Sequence, residues 1–348
     1  MLALIRVDAS IHIGSGHLMR CLTLAKALRR AGITSHFLGR DLPGQLFALI
    51  AQAEFPLLVL PAKTQLTALD ETVEAKESLA LLQHDYHLLI VDHYQLGATY
   101  SKLMRQRCQK VMQIDDLANR QLDCDLLLDQ NLFFDMAKRY QQLIPASCQS
   151  MLGPHYALLR DEFYQTQAQH RTHLLIGFGG SDEQNLTSRA LEALMILKLS
   201  DVPADIVIGA NNPWRAEVEA LVSRLPNALL HVQCNYMAKL MCRARLMLGS
   251  GGSSHWERCI CHLPALIVTG AENQQATTAY LDQLGACIWL GQAADMTVEG
   301  FAEQLNDYLF QSDKLQQMAK VAGALVPETA GTPAVVARII GCLRGSNV

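Results

Sequence analysis

The chain has 348 residues, half of them hydrophobic and 18% charged, with a formal net charge of −4. That length suggests two domains of ordinary size, each with enough apolar material for its own core. The weak negative balance gives no electrostatic case for nucleic acid or an anionic membrane, so a bound anion must be held by local geometry.

The 10 cysteines follow no disulfide-framework spacing. No apolar run approaches the ~18–20 residues that span a bilayer, and the first residues read as a strand rather than a signal peptide. These features predict a cytoplasmic protein with reduced thiols, and a monomer is expected.

In chain order, the apolar run 2–7 reads as a buried strand. It leads through Asp8-Ala-Ser-Ile-His-Ile-Gly14-Ser-Gly16-His17 into 18–31, an apolar-periodic helix closed by Gly32. Further strands are predicted at 34–38, 57–60, 87–91, 110–114 and 125–128, with helical runs near 43–53, 67–83 and 98–107. This βαβα rhythm argues a parallel, doubly wound sheet. The polar stretch 165–172 reads as a linker. The rhythm then resumes with strands at 174–178, 205–208, 229–232, 246–248, 265–268 and 286–289. Helical runs are predicted near 185–199, 214–224, 237–243, 254–262, 274–284, 298–310, 313–323 and 333–343. The expected architecture is α/β: a first Rossmann-like domain over 1–168 and a second over 169–348. The two would face each other across a cleft, and the last helix is free to pack on the first domain.

Several stretches carry chemistry. Glycine between strand and helix lets bare backbone N–H groups approach a ligand, and His17 stands there at the carboxyl end of a first parallel strand. The bland alternative is a histidine that only ties its loop. Ile176-Gly-Phe-Gly-Gly180-Ser181-Asp182 repeats the pattern and reads as a phosphate turn or a tight βα connection. Gly249-Ser-Gly251-Gly252-Ser253-Ser254-His-Trp-Glu257 follows a strand and opens a helix. Its N–H groups suit a diphosphate, its serines can cap the helix, and Glu257 can accept from a ribose diol. The alternative is an ordinary capped helix with a dipole-compensating glutamate. No Walker A ending is present. Glu272, Asn273 and Gln274 can read sugar hydroxyl or amide groups, or simply start a helix.

Asp92-His93-Tyr94 ends the fourth strand, facing a cleft or capping a helix. Asp115-Asp116 also ends a strand; paired carboxylates there suggest acid/base work or a metal, but helix capping is the better reading. Cys259-Ile-Cys261-His262 matches no usual zinc spacing, so neither a metal nor a cofactor is expected.

Together these motifs resemble the UDP-2,4-diacetamido-2,4,6-trideoxy-β-L-altropyranose hydrolases of pseudaminic acid biosynthesis (PseG type). The resemblance also runs through Asp115-Asp-Leu-Ala-Asn-Arg120, Asp125-Leu-Leu-Leu-Asp-Gln-Asn131, Gly153-Pro and Tyr156-Ala-Leu-Leu-Arg-Asp-Glu-Phe163. It implies a GT-B-like fold and a metal-independent enzyme that releases UDP from a UDP-sugar, on the way to flagellin or surface glycan modification. Water would attack the anomeric carbon with C–O cleavage and inversion, and His17 would be the catalytic base. Gly14, Gly16, Tyr94, Glu272, Asn273 and Gln274 would meet the sugar. Gly180, Ser181, Gly251, Gly252, Ser253, Ser254 and Glu257 would hold UDP. A GT-B glycosyltransferase using a UDP-amino sugar and a non-catalytic sugar-nucleotide binder are the rival readings. A nicotinamide enzyme is not, because Gly14-Ser-Gly16-His17-Leu-Met lacks the dinucleotide fingerprint.

Overall fold

The computed structural model describes residues 1–10, 16–62, 69–165 and 170–345. The chain divides into two compact units, Met1–Leu159 with Thr329–Val348, and Arg160–Glu328. The first unit therefore takes segments on both sides of the second, where the sequence expectation divides the chain at 168/169 and leaves the last helix free to pack on the first domain.

Among its described residues the first unit holds strands β1 (Leu2–Val7), β2 (Thr34–Arg40), β3 (Leu57–Leu60), β4 (Tyr86–Asp92), β5 (Cys108–Ile114), β6 (Leu126–Asp129) and β7 (Gln149–Leu152). They form one sheet in the order β3-β2-β1-β4-β5-β6-β7. Every adjacent pair in it is parallel. Helices α1 (Gly16–Arg30), α2 (Ala48–Gln52), α3 (Glu71–Leu81), α4 (Ala98–Met104) and α5 (Met136–Arg139) connect them.

The pleat explains the apolar runs. Ala3, Ile5, Leu88 and Ile90 lie in a core that includes α1 residues Leu18, Cys21 and Leu28. Leu4, Leu89 and Val91 point the other way, into a second core with Tyr86, Tyr100 and Met104. A strand buried on both faces reads as a continuous hydrophobic run rather than an alternation. α1 ends as predicted, with Gly32 at φ +79° and the Ile33 amide donating back to the Leu28 carbonyl at 2.9 Å.

Two expectations are corrected. The run 43–53 is helical only over Ala48–Gln52, because Pro43-Gly44 punctuates its start. Edge strand β7 has no counterpart in the sequence reading. Only one of its four residues, Met151, is buried, so it shows little hydrophobic pattern.

The central exception to an apolar core is Arg6. Fully buried, it donates to Asp8 Oδ1 at 2.5 Å and Glu74 Oε1 at 2.6 Å, while Arg40 donates to Glu74 Oε2 at 2.6 Å. Burial pushes the Asp8 carboxyl up, but the Arg6 guanidinium more than reverses it and holds Asp8 well below the usual carboxylate range.

The second unit holds β8 (His173–Gly177), β9 (Ala204–Ile208), β10 (Ala228–Val232), β11 (Ala244–Ser250), β12 (Ala265–Thr269) and β13 (Ile288–Gln292). Their order is β10-β9-β8-β11-β12-β13, again with parallel neighbours. The helices are α6 (Leu186–Ile196), α7 (Arg215–Val222), α8 (Met237–Arg243), α9 (Ser254–Ile260), α10 (Glu272–Gln283), α11 (Val298–Tyr308) and α12 (Ser312–Leu325). Its core joins Leu174, Ile176, Leu191, Ile206, Leu246, Leu266 and Phe301.

The last helix, α13 (Thr332–Arg344), belongs to the first unit, where Val335 and Ile339 enter the α1 core. Thr332 Oγ1 accepts from the Leu159 amide and donates to the Leu159 carbonyl, both at 2.8 Å. Ile339→Ala is expected to cost ~2–5 kcal/mol, read as a lower urea midpoint for the first unit. An unchanged midpoint would mean that α13 adds nothing to that core.

Candidate functional site

In open parallel sheets, ligands sit beyond the strand carboxyl ends where strand order reverses. In the first unit the reversal falls between β1 and β4, and in the second between β8 and β11. Some of the residues singled out in the sequence lie at these two points, and others do not.

At the first, His17 is the second residue of α1 and Asp92 the last of β4. His17 Nδ1 lies 2.6 Å from Asp92 Oδ1. Arg20 donates through Nε to Asp92 Oδ2 and through a terminal nitrogen to Oδ1, both at 2.5 Å. The Asp92 side chain is 0% exposed and that of His17 14%. Burial pushes the Asp92 carboxyl up. Arg20 and then His17 reverse this and hold it well below the ordinary range. An ionised carboxylate only accepts, so its contact with the ring calls for a proton on Nδ1; Arg20 also approaches Nδ1, at 3.0 Å. Cys21 Sγ donates to Asp92 Oδ2 at 3.4 Å. Burial and the adjacent carboxylate push that thiol well up, so it remains a neutral donor.

Tyr94 packs edge-on against the His17 ring, with centroids 4.7 Å apart and planes at 84°. Its hydroxyl donates to Asp116 Oδ2 at 3.3 Å. Burial, reinforced by Asp116, raises the Tyr94 phenol, which stays protonated. Gly16 is the exposed first residue of α1. Gly14 lies outside the described residues.

Asp115 and Asp116 cap no helix, contrary to expectation, because β5 runs into a loop. Asp115 closes that loop by accepting from the Ala118 amide at 2.9 Å and from Arg120 at 2.7 Å. Asp92 likewise caps nothing: both its oxygens are taken by His17 and Arg20. Sequence reasoning missed Arg20. Its spacing of three from His17 puts the two on one face of the helix, and that was the available signal.

At the second reversal a cavity of about 300 Å³ opens, lined by Gly180, Gly251, Ser253, Ser254, Glu257 and Met237 among others. Bare backbone shapes it. A Cβ on Gly209 would stand 2.5 Å from the Gly180 carbonyl oxygen, and one on Gly251 3.1 Å from Thr278 Oγ1. Gly252 has φ +102°, which favours glycine. Ser253 does not cap α9, as had been expected: its own backbone is already helical (φ −60°, ψ −23°) and its side chain makes no cap bond. Ser254 Oγ instead donates to the Ser250 carbonyl at 2.9 Å. Glu257 Oε1 accepts from Arg160 at 3.1 Å. Burial raises the Glu257 carboxyl, and Arg160 counters it. Arg160 also lines the cavity, and sequence reasoning gave it no role.

Ser181 is exposed beside Gly180, and neither it nor Gly252 lines the cavity. Gln274 packs on the glycine loop: its Oε1 accepts from the Gly270 amide at 3.2 Å, and its Cβ lies 3.2 Å from where a Gly251 Cβ would be. Glu272 and Asn273 are exposed at the start of α10. Among the described residues, no group of three or more His, Cys, Asp or Glu side chains is arranged to hold a metal ion, and no helix is long and apolar enough to cross a membrane.

The chain is similar to a sugar-nucleotide hydrolase. It shares 27% identity over 289 residues, 82% of this chain and 97% of the relative, with UDP-2,4-diacetamido-2,4,6-trideoxy-beta-L-altropyranose hydrolase of Campylobacter jejuni. No protein-family model matches the chain. Among solved structures, MurG of Acinetobacter baumannii superposes with a TM-score of 0.65 at 17% identity, over 97% of this chain and 99% of that one. The UDP-GlcNAc 2-epimerase of Neisseria meningitidis, bound to UDP-GlcNAc, superposes with a TM-score of 0.59 at 13% identity, over 99% of each chain. The fold is GT-B-like, two parallel-sheet α/β units of the kind seen in these glycosyltransferases and epimerases.

The Asp92 anchor yields a prediction. Removing one partner from a buried ion pair typically costs ~3–5 kcal/mol, and Asp92→Asn is expected to lose stability in that range at neutral pH. A carboxyl held below its ordinary value stabilises the fold above about pH 4 and loses that contribution as pH falls through its folded value. Urea unfolding across acid pH should therefore fall less steeply for Asp92→Asn than for the parent. Parallel curves would refute the assignment.

Proposed function

We propose that the chain is a hydrolase that releases UDP from a UDP-linked diacetamido-trideoxy sugar, in the manner of the Campylobacter jejuni relative and of pseudaminic acid biosynthesis. One observation carries the reading: a histidine in the first turn of α1 whose Nδ1 is committed to a buried, ionised aspartate at 2.6 Å. That arrangement fixes the tautomer and leaves Nε2 as a base. His17 takes a proton from water, which attacks the anomeric carbon; the C–O bond breaks with inversion. UDP leaves as a stable anion, so a protonating carboxylic acid is less needed than in ordinary glycosidases. The backbone around Gly251 and Gly252, with Ser253, Ser254, Gly180 and Ser181, holds the diphosphate in this reading. Glu257, steadied by Arg160, meets the ribose. Tyr94, Gly14, Gly16, Glu272, Asn273 and Gln274 meet the sugar. The reading includes no metal, a monomer and a cytoplasmic setting.

The likeness to MurG supports one rival, a glycosyltransferase, which should release little UDP without an acceptor. Purified protein mixed with the UDP-sugar alone should yield stoichiometric UDP and reducing sugar; no UDP would overturn the hydrolase. His17→Asn should lower turnover by ~10²–10⁴-fold with KM little changed, and full activity would remove the base. Glu257→Ala should weaken UDP binding by roughly tenfold, about 1.4 kcal/mol, in calorimetry. Unchanged affinity would take Glu257 out of the nucleotide site.

A further inference from the structure

Where β5 and β6 end, one hydroxyl stands between two carboxyl groups. Tyr140 Oη lies 3.1 Å from Asp115 Oδ2 and 3.0 Å from Asp129 Oδ2. A phenol has one proton and can donate to only one of them. The second approach is attractive only if that carboxyl carries a proton of its own and donates it to the phenol oxygen.

The surroundings decide which one. Asp115 takes a charge-assisted bond from Arg120 at 2.7 Å and another from the Ala118 amide at 2.9 Å, both of which favour an anion. Asp129 has the Asn131 amide at 3.0 Å on its other oxygen and Arg139 Nε no closer than 3.7 Å. Arg139 itself donates to the Asp116 carbonyl at 2.6 Å and lies over the Phe133 ring at 3.5 Å. The Asp129 side chain is 3% exposed. Burial, to which the neighbouring Asp116 charge adds, pushes its carboxyl up to about 7 against the amide, Arg139 and Tyr140.

We propose that Asp129 carries a proton in the folded protein, donates it to Tyr140 Oη while Tyr140 donates to Asp115, and is thereby a positioning residue for the Asp115–Asp116 turn. That turn reaches His17. Asp116 Oδ2 accepts from Tyr94 at 3.3 Å and from Asn131 Nδ2 at 3.4 Å, and lies 3.9 Å from Arg20. Loss of the Asp129 proton adds a third negative charge beside Asp115 and Asp116 and leaves the Tyr140 hydroxyl contested. The turn that holds Tyr94 against His17 is then loosened. The effect on turnover rests on the hydrolase reading; the protonation does not.

The test uses the full chain and two substrate-free readouts. Asp129→Asn mimics the neutral carboxyl, since its amide can donate to Tyr140 and its oxygen accept from Asn131. A carboxyl raised above its ordinary value stabilises the fold while protonated, and that contribution is lost as pH rises towards the folded value. The melting temperature of Asp129→Asn should therefore gain on the parent between about pH 4 and 7 and keep a constant lead above that. A gap that does not change with pH would overturn the proposal. Infrared difference spectra near pH 6 should show a neutral-carboxyl carbonyl band that Asp129→Asn abolishes and Tyr140→Phe shifts. A parent spectrum without a band sensitive to Tyr140→Phe would overturn it even if Asp129→Asn failed to fold. In turnover, kcat of the parent should decline as pH rises past about 7 while Asp129→Asn holds its value, with KM alike in the two. If no UDP is released at all, the hydrolase reading fails, and the two substrate-free readouts still decide the proton.

Discussion

One buried carboxylate organises the first unit's crevice. Asp92 ends β4 with no exposure, and it is tolerable there only because Arg20 grips both its oxygens and His17 donates to one of them. The same three groups thus settle two matters. The cation from α1 compensates a charge that burial would otherwise neutralise, and the anion sets the imidazole tautomer. Strand order supplies the proximity, because β1 and β4 are neighbours whose connections leave in opposite directions. A residue in the first turn of α1 and a residue at the end of β4 meet there, 75 positions apart in sequence.

The second unit uses the same geometry for another end. Its crevice between β8 and β11 is formed chiefly by absent side chains and apolar ones, with Gly180, Gly209 and Gly251 setting how closely the loops approach. Charge enters through Arg160 and Glu257, paired to each other. The two crevices therefore differ: a polar one with a buried carboxylate in the first unit and a backbone-lined one in the second.

Much of this was readable in the residues. Strands buried on both faces announce themselves as apolar runs, so β1, β4, β8 and β12 were legible, and glycine turns after β1, β8 and β11 marked the crevices. What escaped depends on partners distant in sequence. Asp92 could be placed at a strand end, but neither Arg20 nor His17 could be joined to it without knowing that β4 lies beside β1. Asp115 looked like a cap because an acidic pair after a strand often begins a helix; here Arg120 and Tyr140 claim it instead. Strand β7 has one buried side chain and no pattern to read.

The clamp of Thr332 on Leu159 has a consequence for the order of events during synthesis. The residues of the second unit are an insertion between two segments of the first, and the Thr332 hydroxyl is one of the bonds that join those segments. Val335 and Ile339, which belong to the core of that first sheet, are translated only after the whole of the second unit. Until α13 follows, the first unit has part of its apolar surface uncovered, although the second unit's segment is already complete.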